Sequence, residues 1–442
     1  MTRLRLGAAD TFRSLQVRNF RLFFTGQGIS QIGSWLTLIA QTLLVLELTD
    51  SGLALGLLAA AQFGPVLLFG AWAGLIADRS DKRRLLIRVQ TMAMAQTFTM
   101  GALAFMDEPP LVAIYLVAAW GGLATAFDNP ARRSFVVEMV PADHVTNAVS
   151  LNSALMTGAR VVGPALGGFL VAAVGHGWTF WIDGVSYLAV IAGLRAIDPT
   201  TLRKPPAQPR GKGQIRAGLR YAWSVPDLRV PLLMMAVIGT LSFNHQTVLP
   251  LFATRSLGGG DLTFSFLMSV VSVGSLVGAL IAARRTDLQV HLVSVAAIAF
   301  GVTMALLAVA PNQPVAFLVG ASMGFASITF MTTSTAIVQL RAEPSMRGRV
   351  LALQAIVFLG STPIGGPIVG AVAEELGARY AVGLGALAAL AAGGWGLLSA
   401  RRSRTVATTD AVTAEALADA AADQGDGPVV VRPAVPQPTA GR

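Results

Sequence analysis

The sequence predicts an all-α membrane protein with twelve transmembrane helices in two pseudo-symmetric six-helix halves. Three observations carry that expectation. Only 13% of the 442 residues are charged while 54% are hydrophobic, against about 25% charged in a soluble chain. So few charges cannot cover that much apolar surface in water. The apolar residues come in continuous runs, long enough to cross a hydrocarbon core of about 30 Å, which takes about 20 helical residues. The basic residues gather between alternate runs. The 46 Gly show no three-residue period, which excludes a collagen-like chain, and the hydrophobicity excludes disorder.

Cutting the chain at charges, Pro/Gly pairs and short polar stretches gives spans at roughly 20–47, 53–77, 85–106, 110–135, 147–174, 178–197, 229–253, 264–283, 289–310, 314–339, 348–374 and 379–400. The runs are continuous and do not alternate, so helices fit them and barrel strands do not. Pro65, Pro164, Pro363 and Pro367 fall inside spans, where membrane helices tolerate them. Five arginines precede or open the first span, with no short apolar core and cleavage site, so the first span is expected to act as its own insertion signal.

Lys and Arg set the orientation. With the amino terminus inside, the cytoplasmic connections hold Arg79, Lys82, Arg83, Arg84 and Arg88, then Arg132 and Arg133, Arg195 to Arg229, Arg284 and Arg285, and Arg341, Arg347 and Arg349. Of 33 basic residues only Arg160, Arg255 and Arg379 escape that side. The net charge of +10 is therefore read as topogenic, with the lipid bilayer and not a nucleic acid as the partner. The expected order is a cytoplasmic amino terminus (1–19), a first six-helix half (20–197), a cytoplasmic central loop (198–228), a second half (229–400) and a disordered cytoplasmic tail (401–442). Both termini lie inside a multi-pass plasma-membrane protein.

The halves resemble each other. Leu75-Ile76-Ala77-Asp78-Arg79 ends the second span as Leu280-Ile281-Ala282-Ala283-Arg284 ends the eighth. Gly163-Pro164-x-x-Gly167 in the fifth answers Gly366-Pro367-x-x-Gly370 in the eleventh, and Leu151-Asn152 answers Leu353-Gln354. The three pairs lie nearly the same distance apart. Parallel six-helix repeats joined by a cytoplasmic loop are a sign of a secondary transporter with its site between the halves.

Gly74-Leu-Ile-Ala-Asp78-Arg79-Ser-Asp81-Lys-Arg83-Arg84 resembles the signature loop of the major facilitator superfamily, with Asp81 where the family usually has Gly. Gly163-Pro164-Ala-Leu-Gly167-Gly168 resembles the family's exporter motif, with Ala159 and Ser150 where earlier glycines are usual. Tyr115 to Phe127 lacks the basic residue of drug–proton antiporters. Phe127-Asp-Asn-Pro-Ala-Arg132-Arg133, Phe180-Trp-Ile-Asp183-Gly-Val-Ser186-Tyr187 and Val248-Leu-Pro250-Leu-Phe look like the branch containing the enterobactin exporter and macrolide-efflux proteins. The resemblance covers about residues 10 to 400. It implies the major facilitator fold, a gating role for Gly74, Asp78, Arg79 and Arg83, and a contact between halves at Gly163, Pro164, Gly167 and Gly168.

Charge left inside the membrane is costly and usually faces a cavity. Arg160 lies mid-span. Asn152, Met156 and Arg160 share one helical face by four-residue spacing. Arg160 is read as lining the central cavity, either attracting an anionic substrate group or pairing with Asp128 or Asp183; Asp183, toward the outer end of its span, also reads as a helix cap. Gln27, Gln31, Ser34 and Gln41 mark a polar face of the first span, Ser265, Ser269, Ser272 and Ser275 one of the eighth, and Asn244, His245, Gln246 and Thr247 the middle of the seventh. These read as a polar path, with Gln354, or alternatively as bonds between helices. Trp35, Phe243 and Phe358 would offer apolar surface, and His245 is a candidate proton carrier.

No catalytic reading can be assembled. There is no Cys, the four His are scattered, and no Walker-type loop occurs; neither a cofactor nor a metal is called for. The expected function is export of a small amphipathic organic compound, a siderophore, antibiotic or drug, by proton antiport with alternating access, and a single chain can work alone. The alternatives are uptake or uniport of a nutrient or lipid, and a non-transporting scaffold or receptor.

Overall fold

A backbone in hydrocarbon must satisfy its own hydrogen bonds, and the apolar runs here do so as helices. The computed structural model describes residues 11–203, 214–282 and 289–399. Among these there is no strand. The helices are α1 (Arg18–Thr49), α2 (Gly52–Arg79), α3 (Lys82–Ala104), α4 (Leu111–Glu138), α5 and α6 (the two arms of Val145–Ala196), α7 (Pro226–Ser256), α8 (Asp261–Ala282), α9 (Val290–Ala308), α10 (Gln313–Arg341), α11 (Pro344–Glu375) and α12 (Ala378–Ser399). A surface helix, Gln214–Ser224, precedes α7. Met1–Gly396 forms one compact unit and Leu397–Arg442 a second; nearly all of the second, including the tail expected to be disordered, lies outside the described residues.

Ten described segments are long and apolar enough to cross a membrane. One of them holds both α5 and α6, which part at Gly175, a left-handed residue with φ of 81°. The more polar α3 makes the twelfth. Local signals place the starts. Ser51 accepts a hydrogen bond from the Ala54 amide at 3.3 Å and Asp81 one from the Arg84 amide at 3.0 Å, so both act as N-caps. Asp81, the departure from the family loop, thus begins α3.

The expected seventh span needs correction. Between Leu241 and His245 the helix breaks, and beyond Leu251 it closes in a wide π turn, Phe252–Ser256. Thr240 spends its carbonyl on the Asn244 amide nitrogen at 2.6 Å, and Ser242 donates to the Gly385 carbonyl at 2.7 Å. The polar run that read as a lining stripe is the point where side chains replace helical backbone bonds.

The internal repeat is visible in the packing. In the first half α1 lies on the α5–α6 hairpin and α2 on α4; in the second α7 lies on α11 and α8 on α10. Across the halves α2 meets α11, and α5 meets α8. Duplication relates α2 to α8 and α5 to α11, so these are two copies of one contact. Glycine makes it close: a Cβ at Gly52 or Gly56 would run into the Gly370 or Gly366 carbonyl, and one at Gly168 into Ser265. Small residues bring membrane helices together in this way.

The apolar core is shared at one end and divided at the other. Toward the ends of α1 and α7 that are remote from the chain's amino terminus, one cluster joins Ile39, Leu43 and Leu55 of the first half to Leu251, Phe252 and Val369 of the second. At the opposite end Phe20, Phe23, Leu86 and Phe135 form a core of the first half alone, and Leu228, Val338 and Val350 one of the second alone. The α2–α11 contact reaches Leu67 and Gly360, while a Cβ at Gly74, Gly158 or Gly348 would meet nothing. The halves therefore close at the far end and separate toward the basic end.

Candidate functional site

The fifth helix carries the centre of the site. Successive positions present different sides of a helix. Gly163 and Gly167 press on Trp35 and Ile39 of α1, and Gly168 presses on α8 of the other half. Arg160 projects between those two sides and is exposed, although it lies about half-way along a membrane helix. Its guanidinium lies over the Trp35 ring, 5.7 Å from the centroid. Neither expected acid pairs with it. Among the described residues Arg160 makes no ion pair and no hydrogen bond.

Asp128 is already engaged. It is paired with Arg132 one turn along α4 and accepts from Gln90 Nε2 at 2.7 Å. Arg132 also donates to Gln31 Oε1 at 2.8 Å, and Gln27 Nε2 reaches the same oxygen at 3.3 Å. The glutamine face of α1 thus meets a neutral ion pair.

Asp183 is not a helix cap. It is fully buried between α6 and the middle of α1, accepting from Thr37 Oγ1 at 2.6 Å and Ser186 Oγ at 3.0 Å. A Cβ at Gly33 would strike its Oδ1, so that glycine makes room for the carboxyl. No cation joins it among the described residues. Asp183 reads from the sequence as a partner of Arg160 or a cap because Thr37 comes from a distant helix; the available signal is a small residue and a Thr one turn apart on α1.

The remaining expected residues divide. Asn152 packs on Met156, 3.7 Å from its sulfur. Asn244 is buried against α11 beside Gly365. His245 borders a small cleft with Asn244, Met304 and Met323 inside the second half and stacks near Phe243, 5.9 Å between centroids. Gln354 is buried and donates to Ser334 at 3.1 Å. The serine face of α8 does not line an open path: Ser265, Ser269 and Ser272 are buried, and Ser275 bonds the Gly324 carbonyl of α10 at 3.1 Å. Phe243 and Phe358 do come together, edge to face at 5.3 Å.

In the signature loop Asp78 and Arg79 are exposed at the end of α2. Arg83 turns back on its own half, donating to the Leu194 and Arg195 carbonyls at 2.7 and 2.8 Å. Lys82 pairs with buried Glu138 at 2.6 Å.

At the closed end polar contacts fasten the halves to each other and each half to itself. Glu374 of α11 accepts from the Gly52 amide at 2.6 Å. Arg255 of α7 holds the Asp50 carbonyl and lies 3.4 Å from its carboxylate. On the other flank His176 lies 3.5 Å from Glu47. Arg379 binds the Ala308 and Ala310 carbonyls at 2.7 and 2.9 Å. Both arginines expected on the outer side are thus fasteners at this end.

Residues 9–433 match the transmembrane secretion effector family. The chain belongs to that family of major facilitator transporters. Such a transporter is a multi-pass integral membrane protein that moves a small molecule and is not an enzyme. The staphyloferrin A transporter of Staphylococcus aureus is 24% identical over 361 residues, covering 81% of this chain and 90% of its own length. The multidrug efflux pump Tap of Mycobacterium tuberculosis is 25% identical, covering 78% and 84%, and macrolide efflux protein A of Streptococcus pyogenes 22%, covering 82% and 91%. Among solved structures, a bacterial homologue of the human lysosomal transporter Spinster, inward-facing and unoccupied, has a TM-score of 0.67 at 16% identity, covering 87% of this chain and 96% of that one. A POT family transporter bound to 5-aminolevulinic acid reaches 0.71 at 8% identity, covering 86% and 96%. The fold of this secretion effector is shared with both.

Proposed function

We propose that this transporter exports small amphipathic organic compounds by proton antiport, rocking its two halves about the space beside Arg160 and Trp35. The observation that supports the reading most is the divided core, shared at one end and split into two at the other. That is what one state of an alternating-access cycle requires. With both termini cytoplasmic in the plasma membrane, as the Lys and Arg asymmetry favours, the state is open inward. The multidrug efflux pump and macrolide efflux relatives favour outward transport of such compounds.

In this reading Gly163, Pro164, Gly167 and Gly168 seat the halves against each other, and Asp78 and Arg79 at the basic end of α2 act when that end closes. Arg83 steadies the loop from its own half. Asp183, a buried carboxyl whose partners are hydroxyls, is the group best placed to carry a proton through the cycle. The working unit is a single chain.

The test is proton movement in vesicles reconstituted with the purified protein, read across a panel of siderophores, macrolides and lipophilic drugs. At least one compound is expected to drive proton flux opposite to its own. If every transported compound moves without protons, antiport is wrong; if none moves at all, export is wrong.

A further inference from the structure

Resting on that export reading, we propose that Arg160 and Trp35 form an oxyanion subsite, so that the transported compounds are amphipathic anions, carboxylates first. Arg160 stands mid-span, exposed to the space between the halves, yet among the described residues it has neither a carboxylate nor a carbonyl partner. A cation in that position is expensive and is normally neutralised. The Trp35 ring beneath it offers a cation–π attraction, which is weaker than an ion pair at such depth. The guanidinium has five N–H donors and no acceptor capacity, and the ring leaves its donor edge free.

The surroundings do not supply the missing charge. Asp128 is neutralised by Arg132 and held by Gln90. Asp183 is enclosed between α1 and α6 with Thr37 and Ser186. From the other half His245 lies within electrostatic range of Arg160, and it can only add positive charge. The site therefore has a net positive charge until a ligand arrives. A carboxylate, sulfonate or phosphate fits the planar donor fork, bidentate for the first. Met156, one turn before Arg160 on α5, offers apolar surface for the rest of the molecule.

The inference is tested by equilibrium binding to the purified full-length protein in nanodiscs with three probes of one shape, radiolabelled 2-naphthoate, 2-naphthamide and 2-naphthylmethylammonium. Wild-type protein is expected to bind the carboxylate at least tenfold more tightly than the amide, and the ammonium most weakly. Arg160→Gln should lose the preference for the carboxylate over the amide; Arg160→Lys should keep part of it. A thermal unfolding midpoint within a few degrees of wild type shows that each variant is folded. A wild-type protein with no preference for the carboxylate, or an Arg160→Gln protein that retains it, overturns the inference. Naphthoate binding that depends on Arg160 without any proton flux in vesicles would overturn antiport alone, and export of neutral compounds with no carboxylate preference would overturn the subsite alone.

Discussion

The carboxylate of Glu374, at the end of α11, accepts the Gly52 amide at the start of α2 from 2.6 Å away. One half of the transporter thus caps a helix of the other. Such a bond uses the positive end of the helix and one of its orphan donors, and it exists only while that end is closed. At this half-exposed position it is worth about 1 kcal/mol. Glu374→Ala should therefore raise the population opened at this end roughly fivefold. The chain has no cysteine, so a single Cys reports cleanly. Ala59→Cys, buried beside Gly366, should react faster with an impermeant maleimide in the Glu374→Ala background. An unchanged labelling rate would remove Glu374 from the closure.

The glycine contact makes a steeper prediction. A Cβ at Gly366 has the Gly56 backbone and the Ala59 side chain in its way, and overpacking of this kind costs about 1–3 kcal/mol. Gly366→Val should keep the halves folded, hold the far end ajar and lower transport at least tenfold. Transport at the wild-type rate would mean that this contact is not made during the cycle.

Asp183→Asn separates proton coupling from substrate handling. Asn keeps the size and can bond Thr37 and Ser186, but it cannot exchange a proton. The variant is expected to bind substrate and catalyse substrate exchange across vesicles at near wild-type rates, while losing export driven by a pH gradient. Full pH-driven export by Asp183→Asn would exclude this residue as the carrier.

The Lys82–Glu138 pair predicts stability, not transport. Both side chains are nearly inaccessible, at 10% and 3% exposure, and removing one partner strands the other, at about 3–5 kcal/mol. Glu138→Ala should lower the thermal unfolding midpoint of the solubilised protein by several degrees. Joint replacement, Lys82→Met with Glu138→Leu, should restore most of it. Equal losses in the single and double variants would mean that the pair contributes little.

Some of this architecture was legible in the sequence and some was not, for physical reasons. Twelve spans and their pairing into halves follow from hydrocarbon thickness and from repeated Gly–Pro motifs, which are local patterns. Arg160, too, stands out without any partner being known. Its partner is another matter. Four-residue spacing puts Asn152, Met156 and Arg160 on one face, but nothing in it says that Trp35 of α1 occupies that face. The same gap hid Asp183 behind Thr37, and Glu374 behind Gly52. The serine face of α8 stayed open between two readings for a different reason. Periodicity identifies a polar stripe, and a stripe that meets another helix looks the same as one that meets water. In α7 the polar run was seen, while the break it causes depends on Gly385 of α12 offering a carbonyl to Ser242.

Gly163 leads beyond its motif. Its missing side chain is filled by the Trp35 indole, the ring that Arg160 covers. On the proposed reading, the stretch that resembles the exporter motif is therefore also the floor of the ring that would shape recognition. A methyl group added there would shift the indole, and the guanidinium with it. Natural variation at this glycine should then show up as drift in which compounds are carried, before any loss of the ability to carry them.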